Sequence, residues 1–146
     1  MGADIYMHSQ AKDNGKWVWY DHNIYDGRNY TLYGILCGMR GNEFKPIADW
    51  KGFPEDSEDK LKVNSDPYDL DSITELGINL GYVGVSWLTL TELKSFDWKQ
   101  KIPGRMDCYN SMEEWDFVLE VLPYLEAVAE KFGGSDNVRI VFGFSV

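Results

Sequence analysis

The sequence has little of several residue types, and each shortage narrows the classes of protein that it can encode. It contains two cysteines, Cys37 and Cys108, with no CxxC pair, so neither zinc-ligand spacing nor a disulfide framework is present. Its two histidines, His8 and His22, are the only imidazoles available for acid–base chemistry. Its longest apolar runs are a few residues, far short of the roughly 20 that cross a bilayer. The sequence therefore predicts no metal site and no membrane association.

Basic residues are also scarce, because 14 Lys and Arg against 24 Asp and Glu give a formal net charge of −10. Such a field repels the phosphate backbone of nucleic acid, so a duplex is not an expected partner. Residues 1–4 carry an acid where a secretory signal has basic residues, so we expect a cytoplasmic protein. A small phosphorylated ligand remains compatible with this charge, because a few cations dominate within a Debye length of about 8 Å.

Aromatic residues, by contrast, are abundant: Trp 6, Tyr 9 and Phe 7 make up 15% of the chain. At 146 residues and 44% hydrophobic content, the chain is expected to fold as a single domain over residues 1–146. One small core does not require so many aromatic rings. The surplus predicts either a homo-oligomer interface or a surface that stacks on a planar ligand, and both interpretations stay open.

The ends of the chain carry strand patterns. Residues 3–9 alternate between apolar and polar types, and the Asn-Gly pair at residues 14–15 predicts a tight hairpin with residues 16–20 as its second strand. Residues 137–146 are rich in β-branched and aromatic types and predict a terminal strand.

Helix signals lie between these strands. Residues 26–29 start a first helix that ends near Gly38 and Gly41, and the capping boxes Ser72-x-x-Glu75 and Thr89-x-x-Glu92 predict two short helices. The pair Ser111-x-x-Glu114 predicts the cap of a long helix that ends at residues 133–134, with a kink at Pro123. The apolar stripe of this helix is Trp115, Val118, Leu119, Leu122, Leu125, Val128 and Phe132.

These elements predict an α+β fold, with a small and mainly antiparallel sheet covered by a long C-terminal helix and several short helices. The strand–helix alternation of a doubly wound fold is absent. Residues 42–67 are rich in Pro, Asp and Lys and predict a long loop, either a functional lid or a disordered spacer.

Six separated segments carry a further signal. They are Met1-Gly2-Ala3-Asp4-Ile5, Arg28-Asn29-Tyr30, Arg40-Gly41, Gly52-Phe53-Pro54-Glu55-Asp56, Ser86-Trp87-Leu88-Thr89 and Val138-Arg139-Ile140-Val141-Phe142. Together they resemble a family of small tailed-phage proteins, which open with Met-Gly-Cys-Asp-Ile-His and close with a Val-Arg-hydrophobic-Val-Phe strand. The resemblance implies a phage origin and a location in the cytoplasm of the infected bacterium, and it implies no particular activity.

The chain departs from this family at positions that matter for chemistry. Members carry Cys and His in the opening motif and a His-rich approach to Ser-Trp-Leu-Thr, where this chain has Ala3, Tyr6 and residues 83–85 without His. The polar candidates that remain in these motifs are Asp4, Ser86 and Thr89. The resemblance therefore implies that any metal-based or His-based chemistry of the family is lost here and that a binding surface is kept.

Arg28 is the cation best placed to bind an anion. It stands at a predicted helix start, where free amides also favour an anion, and Asn29 and Tyr30 beside it offer hydrogen bonds and a stacking face. A second helix start, at residues 86–89, combines hydroxyls with an aromatic ring. The plainer interpretations are an ion-paired arginine and a helix cap. The candidate ligand-binding residues are Asp4, Arg28, Asn29, Tyr30, Arg40, Ser86, Trp87 and Thr89; further fixed cations are Arg105 and Arg139.

Three functions stay open. The favoured one is a phage-encoded, non-enzymatic binder that sequesters a small nucleotide-derived immune signalling molecule of the host, with no cofactor. An acidic inhibitor could instead bind a basic surface of a host protein through Glu55–Asp59. A hydrolase could use Asp4 with His8, Asp21 or Asp26 around a divalent cation. No Walker-type loop, GxGxxG, HExxH or GxSxG motif occurs in the sequence.

Overall fold

The chain begins with the predicted hairpin. In a computed structural model, which describes residues 2–41, 43–102 and 112–146, strand β1 (Asp4–Asp13) pairs antiparallel with strand β2 (Lys16–Tyr25). Both turn residues, Asn14 and Gly15, have positive φ angles, 51° and 80°. This is the conformation that matches the right-handed twist of the two strands, and Asn-Gly adopts it readily. The predicted hairpin is confirmed, and its strands are longer than predicted.

Two further strands complete an antiparallel sheet of four strands. Strand β3 (Val83–Thr89) and strand β4 (Val138–Ser145) pair with each other, and β4 also pairs with β1, so the order is β2-β1-β4-β3. The C-terminal strand is therefore central, and its residues 138–144 are all buried. The predicted α+β class with an antiparallel sheet is confirmed.

Helices cover one face of this sheet. They are α1 (Tyr30–Cys37), α2 (Leu90–Ser95) and α3 (Leu122–Phe132). Thr89 and Glu92 form the predicted capping box of α2, and Gly38 ends α1 in the left-handed conformation. Among the described residues, no helix is long and apolar enough to span a membrane.

The C-terminal helix differs in detail from its prediction. A π-helical turn (Phe117–Val121) leads directly into α3, and Pro123 lies in the first turn of α3. A wider turn accommodates the proline ring, which would clash with the carbonyl of residue 119 in a regular α-helix. The extra residue in this turn shifts the apolar face, so Phe117 is fully buried and Leu119 is 60% exposed. The predicted place of Leu119 in the stripe is wrong, and the predicted cap residue Ser111 lies outside the described residues.

The second face of the sheet is covered by the long segment between α1 and β3. Its described residues contain isolated bridges and no helix, and three of its own polar residues, Ser57, Asp59 and Thr74, are buried. The helix predicted from Ser72-x-x-Glu75 is therefore wrong. The backbone amides of residues 72, 74 and 75 bond to the carbonyls of residues 81, 78 and 60, so neighbouring extended segments take the donors that a helix needs.

Candidate functional site

Residues from three separate parts of the sequence line one open cleft, the α1 cleft, at the N-terminal end of α1. Its volume is about 510 Å³. Its lining is Arg28, Asn29, Tyr30, Thr31, Arg40, Glu43 and Trp115. Four of the eight predicted ligand-binding residues thus lie together, with two guanidinium groups and two aromatic side chains in the same lining.

Arg28 is held at this cleft by Asp4, the first residue of β1. Its Nη2 donates to Oδ1 of Asp4 at 2.6 Å, and this hydrogen bond and the Asp4 charge raise the pKa of Arg28. Gly2 lies directly against the Arg28 guanidinium, and a Cβ atom at this position would collide with it. Both side chains of the pair are more than half exposed, at 54% and 65%. An exposed pair of this kind contributes little to stability, so Arg28 can exchange Asp4 for a ligand at low cost.

Tyr30 and Arg40 form a second part of the cleft. The Arg40 guanidinium lies 5.7 Å from the centre of the Tyr30 ring, and the Tyr30 hydroxyl accepts a hydrogen bond from the backbone of Ala3. Arg40 comes back beside Tyr30 because the chain turns sharply after α1 and passes against the helix. Gly34 and Gly41 touch through their backbones: a Cβ atom on Gly34 would collide with the Gly41 carbonyl, and one on Gly41 would collide with the Tyr30 carbonyl. The sequence shows both glycines, but their seven-residue separation matches no motif that would predict this contact.

Asn29 caps the N-terminus of α1. Its Oδ1 accepts a hydrogen bond from the Leu32 amide at 3.0 Å, which makes it the N-cap of α1. This oxygen therefore already has a backbone partner, and the Asn29 side chain acts as a helix cap.

Ser86, Trp87 and Thr89 are not among the residues that line the α1 cleft. They surround Lys51 instead. The Ser86 hydroxyl, which is buried, accepts from the Lys51 amide at 3.0 Å, and the Lys51 ammonium lies 3.8 Å from the Trp87 ring centre. The same ammonium bonds to the Glu92 carboxylate, which also accepts from the Thr89 amide in the capping box of α2. These residues attach the long segment to β3.

Arg139 is fully buried on the second face of the sheet, although its sequence position predicts only a fixed cation. Its Nε donates to Gln10 at 2.9 Å and its Nη1 donates to Asp56 at 2.8 Å. The guanidinium carbon lies 3.9 Å from the Trp17 ring centre and 5.0 Å from that of Trp87. Burial lowers the pKa of Arg139, against the opposing effect of Asp56. The Nη2 group has no partner among the described residues.

His8 is also committed to the structure. Its Nδ1 accepts from the Asn23 amide and its Nε2 donates to the Asn79 carbonyl, both at 3.1 Å. Burial lowers the pKa of His8, so the neutral ring with its proton on Nε2 fits these partners. The Asp4 side chain pairs with Arg28 instead. In the described part of the chain, no group of three or more His, Cys, Asp or Glu side chains is placed to hold a metal ion.

The cysteines contribute no activated thiol among the described residues. Cys37 lies in α1, and burial raises its pKa to about 11. A thiol with a raised pKa is a poor nucleophile at neutral pH. Cys108 and Arg105 lie outside the described residues.

No protein-family model, no curated protein and no solved structure matches this chain. The resemblance to a tailed-phage family therefore stays a prediction. Four of the six segments that carry it are joined by ion pairs: Asp4 contacts Arg28, and Asp56 contacts Arg139.

Proposed function

We propose that this protein is a non-enzymatic binder that takes up a small nucleotide-derived molecule in the α1 cleft. The single observation that supports the proposal best is the grouping of Arg28 and Arg40 with Tyr30 and Trp115 around one open cleft. Guanidinium groups bind phosphate through paired hydrogen bonds, and aromatic rings stack on a planar base. The resemblance to phage proteins extends the proposal to an immune signalling nucleotide of the bacterial host, which the protein sequesters.

The net charge of −10 is compatible with this ligand. Charges beyond about 8 Å are screened at physiological salt, so the local field in the cleft depends mainly on its own residues. Glu43 is the acidic residue of the lining, and it accepts from the Thr31 hydroxyl at 3.4 Å. A compact ligand that places its phosphate near both arginines and away from Glu43 is therefore favoured over a long polyphosphate.

Binding without turnover is favoured over hydrolysis by the contacts of the residues that a hydrolase would need. Both ring nitrogens of His8 already have backbone partners, so this imidazole is engaged within the fold. The described lining of the cleft includes no imidazole and no thiol. Histidine is the most frequent general acid–base residue, and the carboxylate of the lining, Glu43, already accepts from the Thr31 hydroxyl.

The test is native mass spectrometry and calorimetric titration with cyclic mononucleotides, cyclic dinucleotides and ADP-ribose. We expect one member of this panel to bind and to be recovered chemically unchanged after denaturation of the protein. The variant Arg28→Gln/Arg40→Gln should lose at least about 100-fold in affinity, because each charge-assisted hydrogen bond contributes about 1.5–3 kcal/mol. The same mass spectra report whether the protein is a homo-oligomer.

The matched control is Lys12→Gln/Lys16→Gln, which removes the same charge from the exposed hairpin tip. This tip lies at the opposite end of β1 from Asp4, so affinity should change little. Equal losses in the two variants would mean that the cleft is not the site. Recovery of an altered nucleotide would replace the proposal with an enzymatic function, and binding by no member of the panel would remove it.

A further inference from the structure

A projecting loop presents an unusual share of the exposed apolar surface. Nine large apolar side chains of the described residues are exposed, and four of these lie within residues 63–76. They are Val63 at 95%, Tyr68 at 91%, Leu70 at 67% and Leu76 at 75%. Single exposed apolar residues are ordinary on a protein surface, whereas a local group of them indicates an interaction site.

The base of this loop is closed by backbone pairing. Leu61 and Thr74 form an antiparallel bridge, and the Lys62 amide donates to the Ile73 carbonyl at 2.8 Å. Residues 63–72 therefore leave the body of the protein and return to it at one point. Leu76 follows directly, on the turn that reverses the chain toward Asn79.

Short polar contacts hold the loop in shape. The side chain of Asn64 accepts from the Asp66 amide, that of Asp66 from the Tyr68 amide, and that of Asp69 from the Asp71 amide. These contacts order the backbone while Tyr68 and Leu70 stay exposed. A loop that is ordered before binding loses less conformational entropy when a partner docks.

The charge of this surface specifies the partner. The sequence contains no Lys or Arg between Lys62 and Lys94, and the loop carries Asp66, Asp69 and Asp71, with Glu75 beside it. A surface of this composition repels nucleic acid, anionic lipid and the acidic surface of a second copy. It complements a protein surface that combines an apolar groove with a basic rim.

We propose that residues 63–76 are a docking surface for a partner protein with an apolar groove rimmed by Lys and Arg, in which Tyr68 and Leu70 are the anchors. Tyrosine is enriched among residues that dominate binding energy at interfaces. The acidic segment Glu55–Asp59 fits this role less well, because Asp56 pairs with buried Arg139 and Asp59 accepts from the Trp19 indole. The proposal is independent of ligand binding in the α1 cleft.

The test selects displayed random peptides of about 12 residues on the immobilised wild-type protein. We expect the selected peptides to combine Lys or Arg with aromatic or aliphatic residues, and their affinity to fall as salt rises. The variant Tyr68→Ala/Leu70→Ala should weaken the binding of these peptides by at least about 30-fold.

Two further variants separate charge from a general loss of apolar surface. The change Asp66→Asn/Asp69→Asn/Asp71→Asn keeps the side-chain oxygens that accept the backbone amides and removes the charge, so it should abolish most of the salt dependence. Leu119→Ala truncates a side chain that is 60% exposed on the C-terminal helix, and it should leave peptide binding unchanged.

Selected peptides without basic residues would overturn the proposal, as would binding that Tyr68→Ala/Leu70→Ala leaves intact. Sedimentation equilibrium of the same proteins gives a third outcome. A wild-type oligomer that becomes monomeric in Tyr68→Ala/Leu70→Ala would assign the surface to a second copy of the chain and would also overturn the proposal.

Discussion

Replacing Asp56 by Ala should destabilise the protein much more than its exposed position suggests. The Asp56 side chain is 64% exposed, yet its Oδ1 accepts from Nη1 of Arg139, whose side chain is 1% exposed. Removal of the carboxylate leaves a buried guanidinium with its Gln10 contact and with Nη2 unpartnered in the described structure.

The expected loss of folding stability can be worked out from two typical costs. Removal of one partner from a fully buried ion pair costs about 3–5 kcal/mol, and removal of one hydrogen bond to a charged group costs about 1.5–3 kcal/mol. Water can reach the position that Asp56 vacates, so the lower range applies. We expect Asp56→Ala to lower the free energy of unfolding by about 2 kcal/mol. The neighbouring exposed acid Glu58 provides the control, and Glu58→Ala should cost less than about 0.5 kcal/mol.

The effect should also depend on pH. Desolvation raises the pKa of Asp56, but the hydrogen bond and charge of Arg139 outweigh it, so the pKa lies below the ordinary 3.8. A depressed pKa means that the carboxylate stabilises the fold above its unfolded value and loses this contribution as pH falls through the folded value. The difference between wild type and Asp56→Ala should therefore be complete near neutral pH and should shrink as pH falls below 3.8.

Urea unfolding, followed by tryptophan fluorescence, measures this difference, because the Trp17 and Trp87 rings lie beside Arg139. The reasoning is refuted if Asp56→Ala and Glu58→Ala are equally stable near neutral pH. A difference that stays constant through the acid range would refute the assignment to the ionised carboxylate.

Two further predictions concern packing and protonation. Gly143→Ala should lower the free energy of unfolding by about 1–3 kcal/mol, because the new Cβ atom would collide with the Leu80 carbonyl. Thermal or urea unfolding measures this loss, and an unchanged melting temperature would contradict the close approach of the two backbones. The His8 ring should titrate below pH 6.5 when followed by NMR, and stability should fall as pH drops below 6.5, because the unfolded chain takes up the proton first. Replacement by Gln should remove that part of the pH dependence, and a ring that titrates above 6.5 would contradict the buried neutral form.

Features that depend on a few neighbouring residues were predictable from the sequence. The Asn14-Gly15 hairpin and the Thr89–Glu92 capping box each depend on contacts within three residues. The apolar face that includes Leu125 and Val128 follows from helical periodicity alone. In each of these features, the residues that interact in the folded chain are also close together in the sequence.

Local signals failed where distant partners competed for the same groups. Ser72 and Glu75 have the spacing of a helix cap, but their amides bond to residues 81 and 60. Leu119 fits the apolar stripe by spacing, and the π-turn before Pro123 rotates it toward solvent. In both cases the outcome depends on which of two locally acceptable structures the surrounding chain stabilises.

The sequence by itself determined the fold class, the hairpin and the residue types that can bind an anion. Only the tertiary structure decided where those residues act. It placed Arg28 and Arg40 in one cleft through the Gly34–Gly41 contact, and it buried Arg139 against Asp56, which is 83 positions away. The physical reason is that burial and charge pairing depend on segments that meet in space, whereas the periodicity of a sequence records only local geometry.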